Sequence, residues 1–251
     1  MTAAVLLATA AACGGGGTPQ APPSTAAASL GPDPSLARSD LAARAALAVD
    51  RKFAALYTFD APGQPSRAVV ATVAVDGSWR VDVPGGALGG SGDVSIVQNN
   101  AGVFSCSLPS ATNPITPSCV RVADKGGQVP KAYDPKVERI FRQWLKVFTD
   151  RQAPISVSPA RTLPGAQNGA CYAVDSISAS MNATFDVGIY CYTADGLLTA
   201  AKVDYGKLTI ASQPATAPAS VDMPGPVVTG DPMGLTAPPV APVLPSVAPS
   251  A

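Results

Sequence analysis

Hydrophobic and polar residues alternate along much of the chain, and this period of two predicts β-strands. The clearest case is a hairpin. A β-branched run at residues 69–75 precedes Asp76-Gly77, a strong turn signal, and a return strand follows in which Trp79 and Val81 share one face. Trp79 should therefore point inward, either as core packing or as the wall of a ligand cavity. The same patterns predict further strands at residues 93–97, 102–106, 120–122, 155–157, 169–178, 184–193, 197–205 and 207–212.

Two segments have the longer period of an α-helix. The pattern over residues 34–54 predicts an N-terminal helix with a loose apolar face. Residues 134–150 predict a stronger one, with Asp134 as the N-cap and Pro135 at the first helical position. This mid-chain helix either packs on the sheet or covers a hydrophobic groove. Its apolar stripe consists of Val137, Ile140, Phe141, Trp144, Leu145 and Phe148, and the basic residues Lys136, Arg139, Arg142 and Lys146 should face solvent. These elements together predict an α+β domain over residues 35–212 with an antiparallel sheet.

The ends of the chain differ from this middle part. Before the domain, an apolar run at residues 5–12 ends in small residues and Cys13, and four glycines follow. After it, residues 213–251 contain ten prolines and only two charged side chains. Such a composition predicts a disordered tail, either an unstructured end or a segment that spans the cell wall or binds a partner.

The N-terminal stretch resembles the lipobox of bacterial lipoprotein precursors. The resemblance implies a signal peptide at residues 1–12, lipidation of Cys13 and a flexible tether at residues 13–34. Two acyl chains on Cys13 would anchor the protein stably to the outer face of the cell membrane. The alternatives are an ordinary cleaved signal peptide with a chance cysteine and a disordered alanine-rich start.

Four cysteines remain after Cys13, and an even number in an exported protein predicts two disulfides. Three connectivities are open. We favour Cys106–Cys119 and Cys171–Cys191, because each pair flanks a loop or hairpin and closes it locally. Metal binding and redox chemistry are disfavoured, since the chain has no Cys-x-x-Cys pair and no histidine.

Charge and composition narrow the function classes. Seventeen basic and seventeen acidic side chains cancel, so no basic surplus predicts nucleic-acid binding. The absence of histidine removes the commonest general base and the catalytic triads that depend on it. We therefore expect no enzymatic activity, no catalytic residue, no metal and no cofactor. The bias toward Ala, Pro, Gly and Val is typical of high-GC genomes and suggests a high-GC Gram-positive bacterium.

The order of elements resembles the LolA/LolB family of lipoprotein carriers, whose half-barrel is shared by the LppX and LprG lipoproteins. The resemblance rests on that order over residues 36–212 and on two short stretches, residues 76–81 and 188–196. It implies a curved antiparallel sheet, closed on one side by the two helices, with a hollow for acyl chains. Eight residues would then form the groove: Val73, Val75, Trp79 and Val81 on the sheet, and Ile140, Phe141, Trp144 and Phe148 on the helix.

The leading hypothesis is a membrane-anchored lipoprotein that binds or carries a lipid or glycolipid. The alternative is a structural or interaction lipoprotein of the cell envelope with a solid core, acting through its surface or its Pro-rich tail on a protein partner.

Overall fold

The computed structural model of the protein describes residues 34–111, 113–177 and 185–237. Cys13, the signal peptide and the tether lie outside the described residues, as does the chain beyond residue 237. The described part is an α+β domain, as the sequence predicts, built on one curved, open, antiparallel sheet.

The sheet has eleven strands, which form two consecutive meanders that meet in the middle. The strands are β1 (Phe53–Asp60), β2 (Arg67–Val73), β3 (Trp79–Ala87), β4 (Gly92–Asn99), β5 (Gly102–Leu108), β6 (Ser118–Ala123), β7 (Ile155–Ala160), β8 (Ala170–Ser176), β9 (Gly188–Tyr192), β10 (Leu198–Val203) and β11 (Gly206–Ile210). Their spatial order is β6-β5-β4-β3-β2-β1-β11-β10-β9-β8-β7. We call β1–β6 the first arm and β7–β11 the second arm; β1 and β11 join them.

The N-terminal helix α1 (Pro34–Asp50) forms as predicted, with Ala37, Leu41 and Ala45 buried. The predicted mid-chain helix is wrong in its extent. It begins only at Val137 and is interrupted at Arg142, giving α2 (Val137–Phe141) and α3 (Gln143–Thr149). Apolar spacing could not reveal the interruption, because buried residues continue at helical spacing on both sides of it.

Asp134 does not act as the predicted N-cap of this helix. Lys136 occupies that position, with φ of 67°, and no side chain caps the helix there. The Asp134 carboxylate instead accepts a hydrogen bond of 2.7 Å from the Lys136 backbone N–H. Such local bonding by Asp side chains competes with regular helix geometry, which is consistent with the later start of α2.

The core lies between the inner face of the sheet and the three helices. Aromatic pairs join the layers edge to face: Tyr57 meets Phe141 and Phe148 meets Tyr190, each with ring centroids 4.9 Å apart. Each such pair contributes about 0.5–1.5 kcal/mol beyond its buried area. The helices therefore cover the inner face closely along much of its length.

Both predicted disulfides are confirmed. Cys106–Cys119 joins directly opposite positions of β5 and β6, and Cys171–Cys191 does the same for β8 and β9. Each arm thus carries one cross-strand disulfide. Disulfides form and persist in oxidising compartments, so the protein is extracytoplasmic.

The prediction of a disordered tail is wrong for residues 213–237, which we call the tail segment. Its backbone pairs with β1 at Ala215 and runs parallel to the edge strand β6 at Val227. Between these points Val221 and Met223 pack on the outer face of the sheet, over the Cys106–Cys119 disulfide. Composition alone missed this, because a proline-rich chain can use the hydrogen-bonding capacity of strands that are already in place.

Candidate functional site

A cavity of about 370 Å³ lies where the first arm of the sheet meets α2 and α3. The sheet contributes the ends of β3, β4 and β5, and the loop after β6 forms a third wall. The lining residues are Val49, Trp79, Gln98, Val103, Gly126, Gly127, Gln128, Val129, Glu138, Arg139, Arg142, Gln143, Trp144, Lys146 and Val147. The volume lies near the lower end of the range of about 300–1,000 Å³ that is usual for ligand sites.

The eight residues predicted to form a groove divide into three groups. Trp79 and Trp144, from the sheet and from α3, line the cavity together. Five others are buried in the same core cluster without lining it: Val73, Val81, Ile140, Phe141 and Phe148. The cavity therefore lies to one side of the predicted groove, next to its two tryptophans.

The eighth residue, Val75, does not belong to the inner face and is 64% exposed. β2 ends at Val73, and residues 74–78 form a longer turn than the sequence suggests. In this turn Ala74 is buried and the Val75 N–H donates to the Pro218 carbonyl of the tail segment, 3.0 Å away. Simple alternation fails here because a turn residue no longer follows the two-residue period of the strand.

A buried carboxyl group distinguishes this cavity from an ordinary packing defect. Glu138 is only 4% exposed, and its Oε2 has no hydrogen-bond partner among the described residues. Burial, reinforced by the neighbouring Asp134 carboxylate, raises the pKa of Glu138 well above its usual range. Glu138 thus favours the neutral acid, which has an O–H group to donate.

Asp134 and Arg139 form an ion pair beside Glu138. Arg139 Nε donates to Asp134 Oδ2 over 2.6 Å, and its guanidinium lies 5.8 Å from the centre of the Trp144 ring. This pair directs the Arg139 charge toward Asp134. Asp134 also forms a side-chain hydrogen bond with Glu138, so Oε2 is the atom of the Glu138 carboxyl that lacks a partner among the described residues.

Arg142 supplies a positive charge to the same cavity. Its Nη1 donates to the Val49 carbonyl over 3.1 Å, near the end of α1, and no ion pair within the described ranges includes it. Burial lowers the pKa of Arg142, and the charge of Asp50 offsets this in part. A half-buried cation without a paired carboxylate is suited to an anionic group.

A polar network fixes the orientation of Trp144. Its Nε1 donates to Asp186 Oδ2 over 2.9 Å, and the Tyr205 hydroxyl donates to the same oxygen over 2.9 Å. Both donors are thus anchored by one carboxylate. The indole ring is held in place as a cavity wall, with its polar edge satisfied away from the lumen.

The sequence could not identify Glu138 and Arg142 as site residues. Helical spacing placed Arg142 on the solvent side together with Arg139, whereas both line the cavity. One signal was present: Glu138 is the only glutamate in the chain, directly after a position of the apolar stripe. A single glutamate indicates a site only when the residues that surround it in the fold are known.

Other features of the described residues are less specific. A neighbouring polar cavity of about 290 Å³ lies at the tip of the β2–β3 hairpin and shares Gln98 with the first. Residues 34–111, 113–177 and 185–237 contain no cluster of three or more His, Cys, Asp or Glu that could hold a metal ion. None of the described helices is long and apolar enough to cross a membrane.

No protein-family model matches the chain, and no curated protein matches it in sequence. The function must therefore be inferred from the cavity itself.

Proposed function

We propose that this protein is an extracytoplasmic lipoprotein that binds or carries a hydrophobic ligand, a lipid or glycolipid, without catalysis. The observation that supports this most directly is the cavity between Trp79 and Trp144. Its apolar walls also include Val103, Val129 and Val147. Such a mostly apolar recess with a few convergent polar groups is the usual form of a small-molecule site.

The volume limits what the cavity holds. About 370 Å³ accepts one alkyl chain or the end of a larger amphiphile. Phe148 and Tyr57, in the core on the inner face, are almost fully buried and do not line the cavity. A larger amphiphile would therefore be held by one part of its structure.

Membrane attachment completes the proposal. Cys13 would be the lipidated residue, anchoring the protein to the outer face of the cell membrane in a high-GC Gram-positive bacterium. The extracytoplasmic disulfides are consistent with this location. The alternative is an interaction lipoprotein that binds a protein partner in the cell envelope. It stays a prediction, because no feature of the described part of the chain favours it over ligand binding.

Tryptophan fluorescence tests the binding proposal, because the chain has two tryptophans and both line the cavity. Titration of delipidated protein with 1-dodecanol should shift the emission and saturate. Val147→Phe would fill the cavity and abolish the response, whereas Val70→Phe, on the exposed outer face of β2, should leave it unchanged. A wild-type protein whose emission does not respond would refute the proposal.

A further inference from the structure

The Glu138 carboxyl is the strongest sign of what the cavity binds. Glu138 lines the cavity, and its buried Oε2 lacks a partner among the described residues. A buried polar group without a hydrogen-bond partner destabilises the folded protein. A ligand oxygen in the cavity would offset that destabilisation by accepting the missing hydrogen bond.

Arg142 gives independent evidence about charge. It lines the same cavity as Glu138, and Lys146 lies one turn further along α3. Neither Arg142 nor Lys146 takes part in an ion pair within residues 34–111, 113–177 and 185–237. The sheet and the loop after β6 contribute uncharged residues only, so the charged residues of the cavity wall come from α2, from α3 and from Arg142 between them.

The apolar part of the site faces this polar wall. Trp79 comes from β3 and Val103 from β5, opposite the helices. A compound that satisfies both sides must combine an alkyl body with a compact acidic group.

We propose that the ligand is a single-chain amphiphile with an acidic headgroup. Its chain lies between the two tryptophans, its anionic group pairs with Arg142, and one headgroup oxygen accepts a hydrogen bond from Glu138. This inference rests on the proposed function and adds the class of ligand. A carboxylate and a phosphate monoester share the required chemistry, because both present anionic oxygens to a guanidinium and to an O–H donor.

Glu138 must be protonated to donate this bond. Its neighbours along its own segment are Asp134 and Arg139, and Tyr205 faces it from the turn between β10 and β11. The other charged groups of the cavity are Arg142, between α2 and α3, and Lys146 on α3. Once Glu138 ionises, its negative charge repels an anionic headgroup, so affinity should fall as pH rises through its raised pKa.

The ligand class can be tested with three twelve-carbon probes below their micelle-forming concentrations: dodecanoate, 1-dodecanol and dodecyltrimethylammonium. Tryptophan emission of delipidated protein reports each Kd. Dodecanoate should bind about tenfold more tightly than dodecanol, as expected for one charge-assisted hydrogen bond of about 1.5 kcal/mol, and the cation should bind most weakly. A fourth probe, dodecyl phosphate, has the same chain with a phosphate monoester in place of the carboxylate. The probe with the lower Kd, dodecanoate or dodecyl phosphate, identifies the headgroup that the site prefers.

Variants separate the charge from the fold. Arg142→Gln should remove the preference for dodecanoate over dodecanol, and Arg142→Lys should retain it. Arg161→Gln, which removes an exposed arginine outside the cavity lining, should change nothing. Equal affinity of the wild type for dodecanoate and dodecanol, or an unchanged preference in Arg142→Gln, would overturn the inference while leaving the proposed function intact.

Glu138 variants test the hydrogen bond. Glu138→Met should bind dodecanoate about tenfold more weakly at pH 6, because the donor is lost. Glu138→Gln keeps an N–H donor and should bind with little dependence on pH, unlike the wild type. Asp175→Asn, an exposed carboxylate on β8, is the matched control. A Glu138→Met protein with wild-type affinity would refute the role of this residue, and a failure of all alkyl probes would refute the proposed function itself.

Discussion

A single glutamate carries much of the chemistry proposed for this molecule. Glu138 is buried beside another carboxylate, Asp134, an arrangement that costs stability. Natural proteins retain such costly groups mainly where function requires them. If Glu138 binds ligand, Glu138→Met should stabilise the free protein and weaken binding, a combination that a purely structural residue would not show.

The pH dependence of stability tests the burial of Glu138. Its folded-state pKa is raised above the unfolded value near 4.5, so folding favours the protonated form. The contribution to stability is then complete below the unfolded value and is lost as pH rises through the folded pKa. The wild type should therefore lose more stability between pH 4.5 and 8 than Glu138→Gln does, as measured by thermal melts followed by circular dichroism. Parallel pH profiles for the two proteins would contradict this.

Sequence patterns predict single residues well where the period of a strand holds. Trp79 was expected to point inward and is buried. Val75 was assigned to the same face, but it lies in a five-residue turn that breaks the alternation. Arg142 was expected in solvent, yet the interruption between α2 and α3 places it on the cavity. Each error arises from backbone geometry that side-chain periodicity does not encode.

Among the elements, α1 and α3 are joined by one arginine. The Arg38 guanidinium donates to four backbone carbonyls just after α3, those of Asp150, Arg151, Ala153 and Ile155. Carbonyl groups at the end of a helix need such donors, and a cation there also complements the helix dipole. Arg38 thereby fixes the position of the helix that carries Trp144.

Arg38→Met should destabilise the protein by about 2 kcal/mol, because several carbonyls lose a charged donor at once. Lys52→Met, which removes an exposed cation near the end of α1, should change stability by less than about 0.5 kcal/mol. Urea unfolding curves give both values. Equal effects of the two substitutions would show that the carbonyl contacts of Arg38 contribute little.

The tail segment is the element for which the prediction from composition differs most from the structure. Its backbone bonds to β6 at two places: Cys119 N–H donates to Pro226 over 2.9 Å, and Val228 N–H donates to Cys119 over 2.8 Å. The prolines flank these contacts and do not interrupt them. Docking of this kind depends on an exposed strand edge, which the local sequence of the tail does not reveal.

Gly225 tests how closely the tail segment is seated. A Cβ atom at this position would lie 2.3 Å from the Pro117 carbonyl oxygen, part of the backbone. Gly225→Ala should therefore destabilise the protein by about 1–3 kcal/mol, as overpacking does. Gly234→Ala is the control, since a Cβ there meets nothing within 4 Å. Matching melting temperatures for the two variants would mean that the segment is held loosely.

On the scale of the whole molecule, the two arms follow one plan. Each has a cross-strand disulfide on the outer face, and each disulfide is covered by a proline-containing segment. Val221 and Met223 of the tail segment cover the first arm, and Leu163 and Ala166 from the loop between β7 and β8 cover the second. The arms differ on the inner face. The strand residues that line the cavity belong to β3, β4 and β5, which are strands of the first arm.

The fold class and the disulfide pairing could be predicted because both depend on local hairpins. A hairpin places its cysteines opposite one another, and the alternation of the strands shows which face is buried. The cavity could not be predicted in this way. It depends on where α2 and α3 settle against the end of the sheet, and contacts such as Arg142 with Val49 decide that position.

The most direct test of the central claim is whether a ligand occupies the cavity of the native protein. Full-length protein should be purified from membranes, extracted with organic solvent and analysed by mass spectrometry, beside the Val147→Phe variant prepared identically. We expect a single-chain acidic amphiphile in the wild-type extract and its loss from the variant. No bound lipid in the wild type, or the same lipid in equal amount in Val147→Phe, would contradict it.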